Sequence, residues 1–205
     1  MTTFIEQHEK QELREQREAE IRLKNNRLGM TIFQVSWIMA FVAIIVVNWQ
    51  LRYSYAEWPP AGVERFSPIL PTIATLGLLA SSWLVHNGLK VLREAHVDTF
   101  LNNWRYAIGL GFVFIAVIVY EFFTVSDAAM ATQYGETFRL MTGFHFVHAL
   151  VIVVMMINVF RKGKQGIYTG DEHDSWAVEG TSKLWHFVTA AWILLWQFRH
   201  NSINA

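Results

Sequence analysis

Two histidines, His145 and His148, stand three residues apart in "TGFHFVHALVIVVMM" (142–156), a run that is otherwise apolar. An ionisable side chain inside hydrocarbon costs a few kcal/mol, so any such residue is a functional candidate. The same concern applies to His86, Glu121 and His186, each inside another apolar run, and to Glu179 at the edge of the last one. A spacing of three puts His145 and His148 on one helix face. Two imidazoles so placed suit metal ligation, haem ligation, a proton relay, a lipid site or hydrogen bonds between helices. A zinc or di-iron centre needs further carboxylates or imidazoles. Glu121, on the preceding antiparallel run, could reach a similar depth, but a second Glu-x-x-His is missing. Haem held between facing helices needs histidines on both. His86 and His186 both fall toward one side, yet no run carries two histidines a leaflet apart. The plain alternative is that these imidazoles bond across helices or to lipid headgroups, for roughly 1 kcal/mol each.

The elements that would position them are membrane helices. The chain has 205 residues, 53% hydrophobic and 15% aromatic, with zero formal net charge. Its apolar residues come in blocks of about 18 or more, the length that crosses roughly 30 Å of hydrocarbon. The expected fold class is all-α: a polytopic membrane protein, a five-transmembrane-helix bundle with spans near 28–50, 69–92, 104–126, 137–160 and 183–199. The last span could start earlier, near Trp176. Short connections make neighbours antiparallel, and the prolines of "WPPAGVERFSP" mark a water-facing loop. With no cysteine, the chain has no disulfide, covalent c-type haem, iron–sulfur or thiolate-metal chemistry. No basic patch interleaved with aromatics points to nucleic acid.

Residues 1–27 form the first unit, a charged arm, and residues 28–205 the membrane domain. The arm has no apolar signal region. Its pairs Glu6–Lys10, Glu18–Arg22 and Glu20–Lys24 favour an exposed helix by a few tenths of a kcal/mol each. It reads as a solvated arm, with a docking helix for a neighbouring subunit as the rival. On this topology thirteen of the seventeen Lys and Arg fall on one side, leaving Arg52, Arg65, Arg139 and Arg199 opposite. That bias predicts a cytoplasmic N-terminus and an exterior C-terminus. Trp49, Trp58, Trp104, Trp176, Trp185 and Trp196 lie near span ends, as interfacial indoles do. Gly109, Gly111, Ala74, Ala80, Ser81, Ser82, Ala190 and Ala191 permit close helix packing.

Several segments together resemble a known family. "YGETFRLMTGFHFVHALVI" (134–152) resembles the pattern Tyr-Gly-x-Thr-Phe-x-x-x-Thr-Gly-Phe-His-x-x-His of subunit III of the haem–copper oxidases, including cytochrome c oxidase. "EGTSKLWHFVTAAWILLW" resembles that family's last helix, "RLGMTIFQVSWIMAF" the helix that opens its five-helix region, "WPP" and "LPTIATLGLLASSWLVHNGL" the next loop and helix, and "YEFF" its Tyr/Gln-x-x-Glu-Tyr segment. The matches keep the family's order and cover almost everything after residue 27. The resemblance implies a short, five-helix bacterial subunit III in the plasma membrane. Such a subunit has no haem or copper of its own, packs against oxidase subunit I, which with its neighbours carries both, and binds phospholipids. It keeps proton uptake and turnover stable while the complex reduces oxygen and pumps protons. His86, Arg93, Glu121, His145, His148, Glu179, Lys183 and His186 are then a lipid-binding or structural polar cluster rather than catalytic residues. Glu179 and Lys183 are expected to pair, with His86 and His186 at similar depth.

Three departures stand out. The family commonly has Ser-Glu-x-Met-x-Phe where this chain reads "SWIMAF", so Trp37 replaces a buried acid and cannot titrate. Phe146 follows the first motif histidine in place of Gly, and Thr189 stands where an Asp is common. The alternatives are a subunit III homologue of a quinol oxidase or nitric oxide reductase and, from another class, a stand-alone b-type membrane cytochrome.

Overall fold

The computed structural model describes residues 2–60, 62–63 and 67–200. Arg65 and residues 201–205, which entered the orientation argument, lie outside the described residues. The described chain is helical: α1 (Thr2–Tyr53), α2 (Ile69–Arg93), α3 (Val97–Phe123), a one-turn α4 (Asp127–Met130), α5 (Gln133–Lys164) and α6 (Glu172–His200). Five long helices therefore form the bundle, as the apolar runs predict. The charged arm is not a separate element, because α1 runs without a break from the arm into the first span.

By length and composition α1, α2, α3 and α5 are each able to cross a membrane. Helix α6 is less apolar, carrying Lys183, His186 and Gln197, and it also buries Ser175, Thr181, Ser182 and Thr189. It packs on α1, α2 and α5. The other contacts are α2 with α3, α3 with α5, α4 with α5, and α1 more lightly with α5. Local signals set the ends. Pro71 lies in the first turn of α2, where a missing N–H costs nothing. Thr132 caps α5 by accepting from Gly135 N, and Arg161, Lys162 and Lys164 close its negative end.

The core corrects the reading of two indoles. Helix α3 starts seven residues before the predicted span, so Trp104 lies two turns inside it and is fully buried. Its Nε1 donates to the Met156 carbonyl at 3.0 Å, joining α3 to α5. Trp185 is equally buried, not interfacial. Its Nε1 donates to Ser81 Oγ at 3.0 Å, and Ser81 donates in turn to the Ala107 carbonyl at 3.0 Å, so one hydroxyl links α6, α2 and α3. Trp192 Nε1 donates to Thr75 Oγ1 at 2.8 Å, a second α6–α2 tie. Of the small residues, Ala74, Ser81, Gly111 and Ala191 are buried, whereas Ala80, Gly109 and Ala190 face outward. Gly111 has a steric reason to be glycine: a Cβ there would stand 3.0 Å from the Trp185 ring.

Candidate functional site

The eight polar residues singled out by sequence do not form one cluster. The structure divides them among an aromatic cage, a pair of histidines on the α2–α6 face, an ionic cleft and a carboxylate at the end of α3.

His145 and His148 are both fully buried. Around them α1 contributes Trp37 and Phe41, α3 contributes Phe114, and α6 contributes Phe187 and Trp192. Trp37 lies tilted over His148 with ring centroids 4.6 Å apart, and Trp192 over His145 at 5.4 Å. Phe41 meets both imidazoles edge-on, at 5.7 and 5.2 Å. None of the four ring nitrogens has a protein hydrogen-bond partner. The bonding across helices expected of such residues is therefore replaced here by ring packing, and full burial keeps a lipid headgroup from reaching them. Trp37 fills the space beside His148 and supplies a wall of the cage. Glu121 does not join the histidines. Phe114, two turns earlier on α3, packs on His145 instead, at 5.6 Å. Glu121 is buried in the last turn of α3.

His86 and His186 do come together, with ring centroids 6.1 Å apart. Ser82 Oγ meets His186 Nδ1, and Ser182 Oγ lies 3.5 Å from Nε2. Sequence reasoning took Ser82 only as a small packing residue and did not single out Ser182. The i to i+4 spacing of Ser182 and His186 was a usable signal, whereas the contact from Ser82 required the α2–α6 packing.

The third group lies where α1, α2 and α6 converge. Lys183 Nζ donates to Glu179 Oε1 at 2.7 Å, the pairing expected from their spacing. Arg27 Nη2 donates to Glu179 Oε2 at 3.2 Å, which sequence reasoning did not foresee. Gly180 lets α1 approach here, since a Cβ would stand 2.8 Å from the Met30 side chain. These residues and Arg93, Gln34 and Trp176 line an open cleft of about 680 Å³. Glu179 stands one turn before the predicted span. The hydrogen bond from Lys183 holds its carboxyl below the usual glutamate value against the opposing effect of burial, assisted by the charges of Lys183 and Arg27. In the α5–α6 loop, burial pushes the Tyr168 phenol up to about 12. Three cations around one carboxylate leave the cleft with a net positive charge, which suits a phosphate-bearing headgroup more than a cationic ligand.

Among the described residues no three His, Asp or Glu side chains converge as a metal site would require. The architecture is that of a multi-pass helical membrane protein with an aromatic and hydroxyl-linked interior. A sequence model of the family described as cytochrome c oxidase subunit III matches residues 13–200. The chain belongs to that family. Cytochrome c oxidase subunit 3 of Thermostichus vulcanus is 30% identical, over 82% of this chain and 83% of that protein. The subunit 3 of a Synechocystis strain is 27% identical, over 82% and 71%. That of Locusta migratoria is 28% identical, over 84% and 67%.

Proposed function

We propose that this chain is the non-catalytic subunit III of a respiratory haem–copper oxidase, one that takes electrons from cytochrome c, reduces oxygen and pumps protons. The observation that carries the reading is the family match over nearly the whole bundle, including the histidine-bearing helix α5. The redox centres belong to partner subunits, with subunit I as the main contact. Two features support this: the chain has no cysteine, and its two motif histidines are enclosed by rings rather than by further ligands. The protein lies in a bacterial plasma membrane with its N-terminus cytoplasmic and its C-terminus exterior, as the distribution of cations favours. Residues 1–27 form its cytoplasmic arm.

The polar groups serve structure and lipid. The ionic cleft of Arg27, Arg93 and Lys183 receives a phospholipid phosphate, with Glu179 fixing the two cations that bond to it. His86 and His186 extend that polar surface toward the membrane interior, while Glu121, His145 and His148 are structural. The test is purification of the tagged chain in mild detergent, followed by visible spectroscopy and metal analysis. Haem and copper should arrive with partner subunits and remain with them when this chain is separated. Stoichiometric iron or copper on the isolated chain overturns the reading. His186→Leu should leave initial turnover near wild type and shorten the working life of the complex. Complete loss of activity from the first cycle in an assembled complex would make His186 catalytic.

A further inference from the structure

Helix α1 uses one face against α5 and α6 and leaves another uncovered. Leu28, Ile32, Val35, Met39, Val42 and Val46 are all exposed, and they follow one another at alternating steps of four and three residues. The same steps continue to Trp49 and Tyr53, both exposed. That is an unbroken heptad seam, the spacing at which one helix packs along another with a left-handed crossing. Beside it Gly29, Ser36 and Ala43, also exposed, recur every seven residues and would let a second backbone come close.

The seam does not stop at the membrane. At 100° per residue, Lys10, Arg14, Arg17 and Lys24 fall on the same stripe of the continuous helix, and all four are exposed. Glu9, Glu12, Glu15, Glu18 and Glu20 fall off it, whereas Glu6 falls on it, at the same angle as Lys24. Along the arm the stripe thus carries four cations and one acid, and this basic side is collinear with the apolar seam.

Lipid does not account for this stripe. Hydrocarbon about 30 Å thick covers about 20 helical residues. Lys10 precedes Leu28 by eighteen residues, so along a straight helix it stands about 27 Å beyond it. Headgroup charge is screened within about 8 Å at physiological salt. A second copy does not account for it either. Two copies in one membrane run parallel, and a two-fold contact along the seam would set Arg14 and Arg17 against their own counterparts.

We infer that this stripe docks a helix of a different subunit of the same complex. That helix is apolar where it faces Leu28 to Tyr53 and carries carboxylates where it faces Lys10, Arg14, Arg17 and Lys24. The inference rests on the chain being a subunit of a larger assembly, and it adds the face and the chemistry of one partner.

The test places a benzoyl-phenylalanine photocrosslinker at Val42, and separately at Arg17, in the full chain within its native membranes. Val113, an exposed residue of α3, serves as the comparison position. Irradiation should join both seam positions to the same partner polypeptide, different from whatever Val113 captures. Reversing the charges in the K10E, R14E and K24E triple variant should lower the Val42 adduct at least threefold. Adducts to lipid alone, a self-adduct of twice the chain's mass, or a Val42 yield unchanged by charge reversal would each overturn the inference. Haem absorbance in the same detergent extract separates the two readings. If haem comes down with the chain while the seam yields only lipid or self adducts, the inference fails alone; if no haem comes down, the assembly reading fails with it.

Discussion

Replacing Ser81 by alanine tests whether a single buried hydroxyl ties three helices together. Ser81 accepts from Trp185 Nε1 and donates to the Ala107 carbonyl, both at 3.0 Å, and serine and indole alike are fully buried. The substitution removes two interhelical bonds, which in membrane proteins average about 0.6 kcal/mol each. It also leaves the indole N–H buried without an acceptor, at a further cost of about 1–3 kcal/mol. The two figures overlap, so Ser81→Ala should cost about 2 kcal/mol. Trp185→Phe removes the donor as well as ring contacts with α3, so it also destabilises. The informative quantity is the coupling. In the Trp185→Phe background no N–H remains to be orphaned, so Ser81→Ala should cost about 1 kcal/mol less than in the wild type. The assay is reversible SDS unfolding of the four proteins in mixed micelles, followed by helical circular dichroism. Fully additive single-mutant costs, or a Ser81→Ala cost below about 0.5 kcal/mol, would refute the three-helix link.

Other consequences follow from particular contacts. The Glu179 pairing with Lys183 and Arg27 lowers the carboxyl's pKa, so its contribution is present above the ordinary glutamate range and is lost as pH falls through it into the lowered folded range. Acid titration of the complex should show release of this chain rising in that window, and Glu179→Gln should flatten the response. Tyr168, raised to about 12 by burial, has the opposite sense: its contribution holds below the unfolded tyrosine value of 10.0 and declines as pH rises toward 12, a trend that Tyr168→Phe should abolish in alkaline unfolding. Gly111→Leu would force Trp185 away from α3 and should destabilise by about 1–3 kcal/mol in the same SDS assay, whereas Gly109→Leu, facing outward, should be close to neutral. A reporter fused after Ala205 should be active only if it works outside the cytoplasm; activity of a cytoplasm-only reporter there would refute the assigned orientation.

The sequence by itself determined the helices. Apolar runs of membrane length do not depend on their neighbours, because a backbone in hydrocarbon must satisfy its own hydrogen bonds, and helix is the local way to do so. The Glu179–Lys183 pair was legible for the same reason, since a spacing of four fixes proximity on any helix. The ordered motifs gave the family before any contact was known. What the sequence left open was every relation between helices. Nothing in its spacing joins Arg27 to Glu179, 152 residues away, or Ser82 to His186. Nor does the position of Trp104 or Trp185 near a span end distinguish an interfacial indole from a core one, because an indole is amphipathic and suits either place. The packing of α3 against α5 and of α6 against α2 made that choice, by offering the Met156 carbonyl and the Ser81 hydroxyl as buried acceptors. His145 and His148 show the same division. Their spacing put them on one face of α5, but only the arrival of Trp37 and Phe41 from α1, Phe114 from α3 and Trp192 from α6 decided that this face meets aromatic rings.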